Sequence, residues 1–226
     1  MRTTLTSLVL ISLFTLRSAQ AGEKLILEDV MNLKPTQQVV GMKSVDVKTE
    51  KLEEKSRDER HEYLKENPVP VIKGPHQELY MTDHHHLSRA LVESDHRKIY
   101  VFIVENWSDL SIADFWERME QEGYAYLKDK QGKRIKASEL PGNVTLLQDD
   151  PFRSLAYFAR KQGAYAKDPA PFSEFAWASF YRKYFTELDL ERDWYGTLDK
   201  ALDLSFEAEA RNLPGYKGEF SCEGLF

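Results

Sequence analysis

The sequence predicts an α/β (α+β) protein in which a small sheet-and-helix domain precedes a helical extension. Six apolar residues in succession, 99–104, are typical of a strand that is buried on both faces inside a sheet. Before residue 140, short apolar runs alternate with helical patterns, whereas only helical patterns follow residue 141. We therefore expect an α/β domain over residues 22–140 and a helical C-terminal extension, packed on it, over residues 141–226.

The first 21 residues have the form of a signal peptide. Arg2 precedes an apolar run over residues 5–16, and Ala19-Gln20-Ala21 has the small residues that a signal peptidase cleaves. The run is shorter than the roughly 20 residues that span a bilayer, which argues against a transmembrane anchor. We expect a secreted or periplasmic mature protein without an anchor. Cys222 is the only cysteine, so no internal disulfide can form.

The α/β domain begins with a short strand pattern at residues 25–27. A highly charged helical pattern follows over residues 45–67, and Pro68 ends it. Residues 69–72 and 78–81 flank a Gly-Pro turn and predict a β-hairpin. The second strand of this hairpin, residues 78–81, therefore ends just before the next helical pattern begins.

The second half of the domain contains two more helices and a turn. A helix rich in histidine runs to about Glu93, and a second one begins at Ser111 and ends at Gly123. Residues 124–127 and 134–135 flank a Lys/Asp/Gly turn, which suggests a second hairpin.

The pattern of the C-terminal extension predicts three or four helices. Asp150 followed by Pro151 is typical of a helix start, and this helix stops at Gly163. A second helix covers residues 173–185, where aromatic residues at helical spacing indicate a buried core, and residues 188–211 hold one or two more.

The acidic composition limits the partners. The formal net charge is −6, and removal of Arg2 and Arg17 with the signal peptide takes it to −8. Basic and acidic residues are interleaved over residues 48–55, which predicts a solvated helix face with i,i+4 ion pairs. Because proteins that grip long duplex DNA usually display a basic face, duplex DNA is not the expected partner.

Three successive histidines, His84, His85 and His86, mark the candidate site. They stand where a strand pattern becomes a helical one, and the free amides and dipole of a helix start attract anions. Side chains of successive helical residues point about 100° apart, so the three rings cannot all ligate one metal ion, and no metal site is predicted. Asp83 is expected to cap the helix by accepting from amides two or three residues ahead.

Histidine can exchange protons near neutral pH, and a nearby phosphate raises its pKa. We expect one of the three rings to pack inward as a neutral residue. The others suit general acid or base catalysis on a phosphoester, or attack on phosphorus. Catalytic roles are therefore assigned to His84, His85 and His86.

Several residues are expected to bind the anion beside these rings. The predicted ligand-binding residues are Thr82, Asp83, Arg89, Gln38, Lys43 and Lys73. Arg89 lies three residues after His86 and could clamp a phosphate, or else form a surface ion pair. Lys48 is a further source of positive charge. Asp149, Asp150 and Arg153 would reach the site if the C-terminal half packs over it, although helix capping also explains the two aspartates.

Five sequence blocks resemble the putative ParB-like nuclease family, a distant branch of the ParB and sulfiredoxin superfamily. They are residues 35–41, 69–72, 79–91, 149–156 and 171–175. The resemblance implies a small α/β domain in which a strand runs into a phosphate-facing helix. In the superfamily the corresponding motif is Asp-Gly-x-His-Arg, whose Gly, His and Arg surround nucleotide phosphates. Asp83 and His86 match this motif, His84 stands at the glycine, and Leu87 replaces the arginine.

Two functional hypotheses follow. The first is an exported phosphoester hydrolase or transferase, with nucleic acid as one candidate substrate, that uses the histidine cluster at a helix start. The second is a non-catalytic module of the same fold that binds an anion, a nucleotide or another partner. A phosphate-bearing or other anionic small ligand is expected in both cases, and the sequence identifies no cofactor.

Overall fold

The computed structural model describes residues 24–218. The predicted signal peptide and Cys222 lie outside these residues. Within the described range, none of the helices has the length and apolar character needed to cross a bilayer.

A five-stranded mixed sheet forms the centre of the α/β part. The strands in chain order are β1 (Ile26–Asp29), β2 (Leu33–Pro35), β3 (Val39–Val40), β4 (Val69–Lys73), β5 (Leu79–Met81), β6 (Lys98–Asn106) and β7 (Gln148–Asp149). The sheet order is β1-β6-β4-β5-β2, and β3 pairs with β7 in a separate parallel pair. The predicted hairpin is confirmed as antiparallel β4 and β5, and β6 is an interior strand as expected.

Eight α-helices surround the sheet or extend from it in the described range. They are α1 (Met42–Glu53), α2 (Arg57–Glu66), α3 (His85–Glu93), α4 (Ile112–Gln121), α5 (Pro151–Lys161), α6 (Ser173–Tyr181), α7 (Glu187–Arg192) and α8 (Trp194–Leu204). Ser111 and Asp150 cap α4 and α5 as predicted, because their side chains accept from Asp114 N and Phe152 N. The α+β fold class is confirmed.

The prediction of one charged helix over residues 45–67 is wrong, because α1 and α2 are separate helices. Ser56 Oγ accepts from Glu59 N at 3.3 Å, and Ser56 N donates to Glu59 Oε2 at 2.9 Å. This reciprocal capping box starts a new helix and ends the first one.

The predicted second hairpin forms as a short one, with a single antiparallel bridge between Lys128 and Arg134 and no longer strand ladder in the described residues. Ile135 N donates to Leu127 O at 3.1 Å next to this bridge. Tyr126 N donates to Thr36 O at 2.8 Å, so the same segment is also joined to the end of β2.

Three apolar clusters stabilise the described part. One lies between the sheet and helices α1 and α3, a second around β4 and α4, and a third among the C-terminal helices. Trp177 and Tyr181 are fully buried in the third cluster, which confirms the predicted aromatic core. Helix α5 packs on α1, and β7 lies beside β3, so the helices after residue 141 reach the region where α3 begins.

Candidate functional site

A cleft of about 660 Å³ lies at the start of α3. All three histidines line it, together with Thr82, Asp83 and Leu87 on the same side. Helix α5 and residues 167–175, which lead into α6, line the opposite side. A concave site of this size accommodates a small organic ligand, and it has polar groups from several elements.

His84 precedes α3 in the left-handed conformation, with φ 64° and ψ 21°. This conformation costs a residue other than glycine about 1 kcal/mol or more. Asp83 Oδ1 accepts from His84 N at 2.6 Å, and His84, not Asp83, occupies the N-cap position. The prediction that Asp83 caps the helix is therefore wrong: the left-handed turn directs its carboxylate to the adjacent amide.

His85 and His86 both accept hydrogen bonds from a distant backbone segment. His85, which is 4% exposed, accepts from Thr36 N at Nε2 over 3.2 Å. His86 accepts from Gly41 N at Nε2 over 3.1 Å. An accepting Nε2 carries no proton, so each neutral ring has its hydrogen on Nδ1. The two rings tie residues 36–41 to the start of α3.

Burial lowers the pKa of His85 and of His86 to about 3. Both rings are consequently neutral at physiological pH. The sequence predicts one neutral ring that packs inward, whereas the structure has two. Burial also lowers the pKa of His84; Asp83 opposes this shift, and Lys48 and Lys167 add to it. His84 has no backbone amide bonded to its ring among the described residues.

Arg153 is the most buried cation of the cleft, with 5% exposure. Its guanidinium lies 4.0 Å from the ring centroid of Phe175, and its Nη2 lies 3.3 Å from Glu174 Oε2. Its Nε and Nη1 have no hydrogen-bond partner within the described part of the chain. Buried donors without partners are rare and costly, so these two groups favour a ligand or water that accepts from them.

Glu174 joins two arginines at the wall of the cleft. Arg160 Nε donates to Glu174 Oε1 at 2.9 Å, on the other side of the carboxylate from Arg153. Although burial opposes it, Arg153, His86 and Arg160 hold the pKa of Glu174 below its usual value. Lys48 and Lys167 also line the cleft, and neither forms an ion pair within residues 24–218.

Two helices begin at this cleft. Phe172 precedes α6 with φ 59°, the same left-handed conformation as His84 before α3. Neither helix is capped by a side chain of the described residues. Both N-termini therefore present amides and the positive end of the helix dipole on the side where Arg153, Lys48 and Lys167 lie.

A family model described as putative ParB-like nuclease matches residues 28–183, a range that includes the sheet except for the first two residues of β1, the histidines, α5 and α6. The chain belongs to the putative ParB-like nuclease family. The predicted family is thus confirmed. The crystal structure of protein Atu1540 from Agrobacterium tumefaciens is similar to this family member, with 36% sequence identity and a TM-score of 0.81. The match covers 86% of this chain and 97% of that one. No curated protein matches the sequence.

In this family member, five of the predicted site residues line the cleft. They are Thr82, Asp83, His84, His85 and His86. Arg153 joins them, as expected if the C-terminal helices pack over the site, and so does Lys48. Asp149 and Asp150 do not line the cleft: Asp149 accepts from Met42 N at 2.8 Å, and Asp150 caps α5. No group of three or more potential ligand side chains in the described range is placed to hold a metal ion.

The structure does not bring Arg89, Gln38, Lys43 or Lys73 to the cleft wall. Arg89 donates to Thr145 O at 2.6 Å and forms an ion pair with Glu93 at 2.6 Å. Of the two roles predicted for Arg89, the ion pair is therefore the one that forms. Lys43 lies 4.8 Å from the ring centroid of Trp194. A ligand role for these four would need a ligand that extends beyond the cleft.

Sequence reasoning missed Arg160, Tyr157, Lys167, Glu174 and Gln37, all of which line the cleft. The sequence does contain a signal for Tyr157 and Arg160, since they follow Arg153 at the i+4 and i+7 spacing of one helix face. The others come from loops or from a helix whose direction local patterns do not fix.

Proposed function

We propose that this protein is a phosphoester hydrolase or transferase that holds the phosphate of its substrate in the cleft beside His84. One observation carries the proposal: Arg153 lines the cleft, and two buried N–H groups of its guanidinium have no partner in the described chain. Guanidinium groups bind phosphate through paired hydrogen bonds. A phosphate oxygen that accepts from Nε, or one that accepts from Nη1, would satisfy one of these donors.

The surrounding charges support an anionic substrate. Lys48 and Lys167 add positive charge without internal ion pairs, and two uncapped helix N-termini favour an anion in the same place. Glu174 already balances part of the charge of Arg153 and Arg160. The remaining cations suit a phosphate ester, whose charge they would neutralise.

The three histidines take different roles in this proposal. His84 exchanges the proton, because its ring is not bonded to the backbone, and a bound phosphate would raise its lowered pKa toward neutrality. His85 and His86 hold residues 36–41 through Nε2 and keep Nδ1–H as a donor. As neutral donors they would stabilise negative charge without transferring a proton at Nε2.

His84→Gly tests the catalytic role with little risk to the fold, because glycine adopts the left-handed conformation without strain. We expect turnover of bis(p-nitrophenyl) phosphate and of nucleotide phosphoesters to fall at least about 100-fold, the typical effect of losing a general acid or base. The melting temperature should stay the same or rise. Arg153→Gln should chiefly raise KM. Undiminished kcat in His84→Gly would exclude the ring from the chemistry.

A second candidate is binding without turnover, which the engagement of His85 and His86 by backbone amides favours. In that case phosphate or a nucleotide would raise the melting temperature of the protein, Arg153→Gln would abolish this shift, and no product would appear. Hydrolysis at a rate that depends on His84 would exclude this alternative.

We also propose that the protein acts outside the cytoplasm, on the basis of its first 21 residues. Expression of the full chain in a bacterial host should give an exported product that begins at Gly22, as measured by intact mass and N-terminal sequencing. Retention of the full-length chain in the cytoplasm would contradict the proposal. Deletion of residues 5–16 is the matched control and should abolish export.

A further inference from the structure

Five lysines form a group around the cleft. The proposed hydrolysis of a phosphoester involves only some of them. This lysine rim consists of Lys48, Lys51, Lys55, Lys161 and Lys167. Lys48 and Lys51 lie one turn apart on α1, and Lys55 lies two residues beyond the end of that helix. None of the five forms an ion pair within the described residues. The i,i+4 pairs predicted for residues 48–55 are therefore not formed.

Contacts with two tyrosines place the rim at the mouth of the cleft. Lys55 Nζ lies 5.3 Å from the ring centroid of Tyr63, and Lys161 Nζ lies 5.8 Å from that of Tyr157. Both rings line the cleft, Tyr63 from α2 and Tyr157 from α5. Burial lowers the pKa of Lys48, and the charges of Lys161 and Lys51 lower it further, so these cations lie near one another.

The charge of α1 is segregated from residue 46 onward although its sequence is interleaved, whereas Lys43 lies on the acidic side. Asp46, Glu50 and Glu53 are exposed and fall on the side of the helix away from the lysines at 3.6 residues per turn. Clustered like charges repel unless an opposite charge lies near them. Glu174 and Asp83 offset part of the charge near Lys48, but none of the five lysines forms an ion pair in the described range, so the cluster would stabilise an anionic partner.

A phosphate inside the cleft would contact only part of the rim. Lys48 and Lys167 line the cleft, whereas Lys51, Lys55 and Lys161 lie outside its wall. A partner that reaches all five must carry several negative charges along its length. The tyrosine rings beside the outer lysines provide surfaces on which bases can stack, as in proteins that bind single strands.

We propose that the substrate is a single-stranded phosphodiester chain with one phosphate in the cleft and the following phosphates on the lysine rim. The inference rests on the proposed function, because it extends the substrate from the same phosphate position. A duplex fits less well, since its bases are not free to stack on Tyr63 and Tyr157 and the acidic remainder of the surface repels its second strand.

Salt-dependent binding tests the proposal with a fluorescent oligothymidylate of about 12 nucleotides, within the site sizes of single-strand binding proteins. The variant Lys51→Gln/Lys55→Gln/Lys161→Gln should bind it at least about 10-fold more weakly at about 50 mM NaCl. Its slope of log K against log salt should be smaller by about 2, since each neutralised phosphate of a single strand contributes about 0.7. Binding of inorganic phosphate in the cleft should not change.

The matched control is Lys98→Gln/Lys133→Gln/Lys200→Gln, which removes the same charge from three exposed lysines without ion pairs in the described range. It should bind the oligonucleotide like the wild type. Equal effects of the two triple variants would overturn the proposal, as would equally tight binding of a duplex of the same length or of a polyglutamate peptide.

The outcome is separable from that of the proposed function. If Arg153→Gln loses phosphate binding while the rim variant behaves like the wild type, the cleft proposal stands and the rim proposal fails. If Arg153→Gln and His84→Gly leave phosphate binding and hydrolysis unchanged, the cleft proposal fails whatever the rim variant does.

Discussion

Gly41→Ala is expected to lower the free energy of unfolding by about 3 kcal/mol, the upper part of the range for overpacked sites. An added Cβ would lie 2.5 Å from Ser154 N and 2.8 Å from Ser154 Cα. These are backbone atoms of α5, so relief requires α5 to move away from the start of α1. The φ angle of −89° suits any residue, so the effect comes from the close approach of the two chains.

The same substitution should also weaken the cleft, because Gly41 N donates to His86 Nε2. Urea unfolding at neutral pH gives the change in free energy, and phosphate binding reports on the cleft. Gly142→Ala is the matched control, since nothing lies within 4 Å of its added Cβ, and its effect should be within about 0.5 kcal/mol. Similar urea midpoints for both variants would show that α1 and α5 do not approach as closely as described.

Most of the fold could be predicted because its signals are local. The apolar strand β6, the Gly-Pro turn between β4 and β5, and the caps Ser111 and Asp150 each follow from a few adjacent residues. Ser56-x-x-Glu59 is a capping-box sequence that indicates the break between α1 and α2. The charged pattern continues across it, however, and suggests a single helix. The second hairpin follows from its Lys/Asp/Gly turn, but the hydrogen bond from Tyr126 N to Thr36 O joins segments distant in sequence and could not be predicted locally.

The location of the three histidines at a helix start could be predicted, but the direction of their side chains could not. A strand followed by a helix places His84 to His86 at a helix start whatever the tertiary structure is. The backbone partners of His85 and His86 are 49 and 45 residues away in sequence, so only the folded chain determines them. The two candidate arginines illustrate the same limit. Arg89 is close in sequence but donates to Thr145 O, whereas Arg153 comes from the C-terminal helices and lines the cleft.

The lysine rim shows that a charge pattern must be examined on the helix rather than along the chain. Residues 48–55 alternate in sign when they are read in order, and this order suggests internal ion pairs. At 3.6 residues per turn, Lys48 and Lys51 fall on one side of α1 and its acidic residues fall on another. The acidic net charge still argues against duplex DNA, but it does not exclude a local basic surface for a narrower polyanion.

Lowering the pH from about 7 to about 5 is expected to decrease the free energy of unfolding by about 4 kcal/mol, close to 2 kcal/mol for each of His85 and His86. Both pKa values are lowered to about 3 in the folded protein, chiefly by burial and further by Arg153, although Asp83 opposes the shift at His85, whereas an unfolded histidine titrates near 6.5. Between these values the unfolded chain binds protons that the folded chain excludes. The stabilisation is therefore complete above about pH 6.5 and is lost as the pH falls toward 3.

Urea unfolding at about pH 7, 6 and 5 measures this dependence in a range above the titration of most carboxylates. His61→Gln is the control, because His61 is exposed, and its unfolding should follow the same pH dependence as the wild type. His85→Gln/His86→Gln should be less stable at pH 7 and depend less on pH. If that variant does not fold, the nitrogen chemical shifts of the two rings in the wild type test the prediction. Both rings should remain neutral Nδ1–H tautomers at pH 5. Protonation of either ring at pH 5 would refute the explanation by burial.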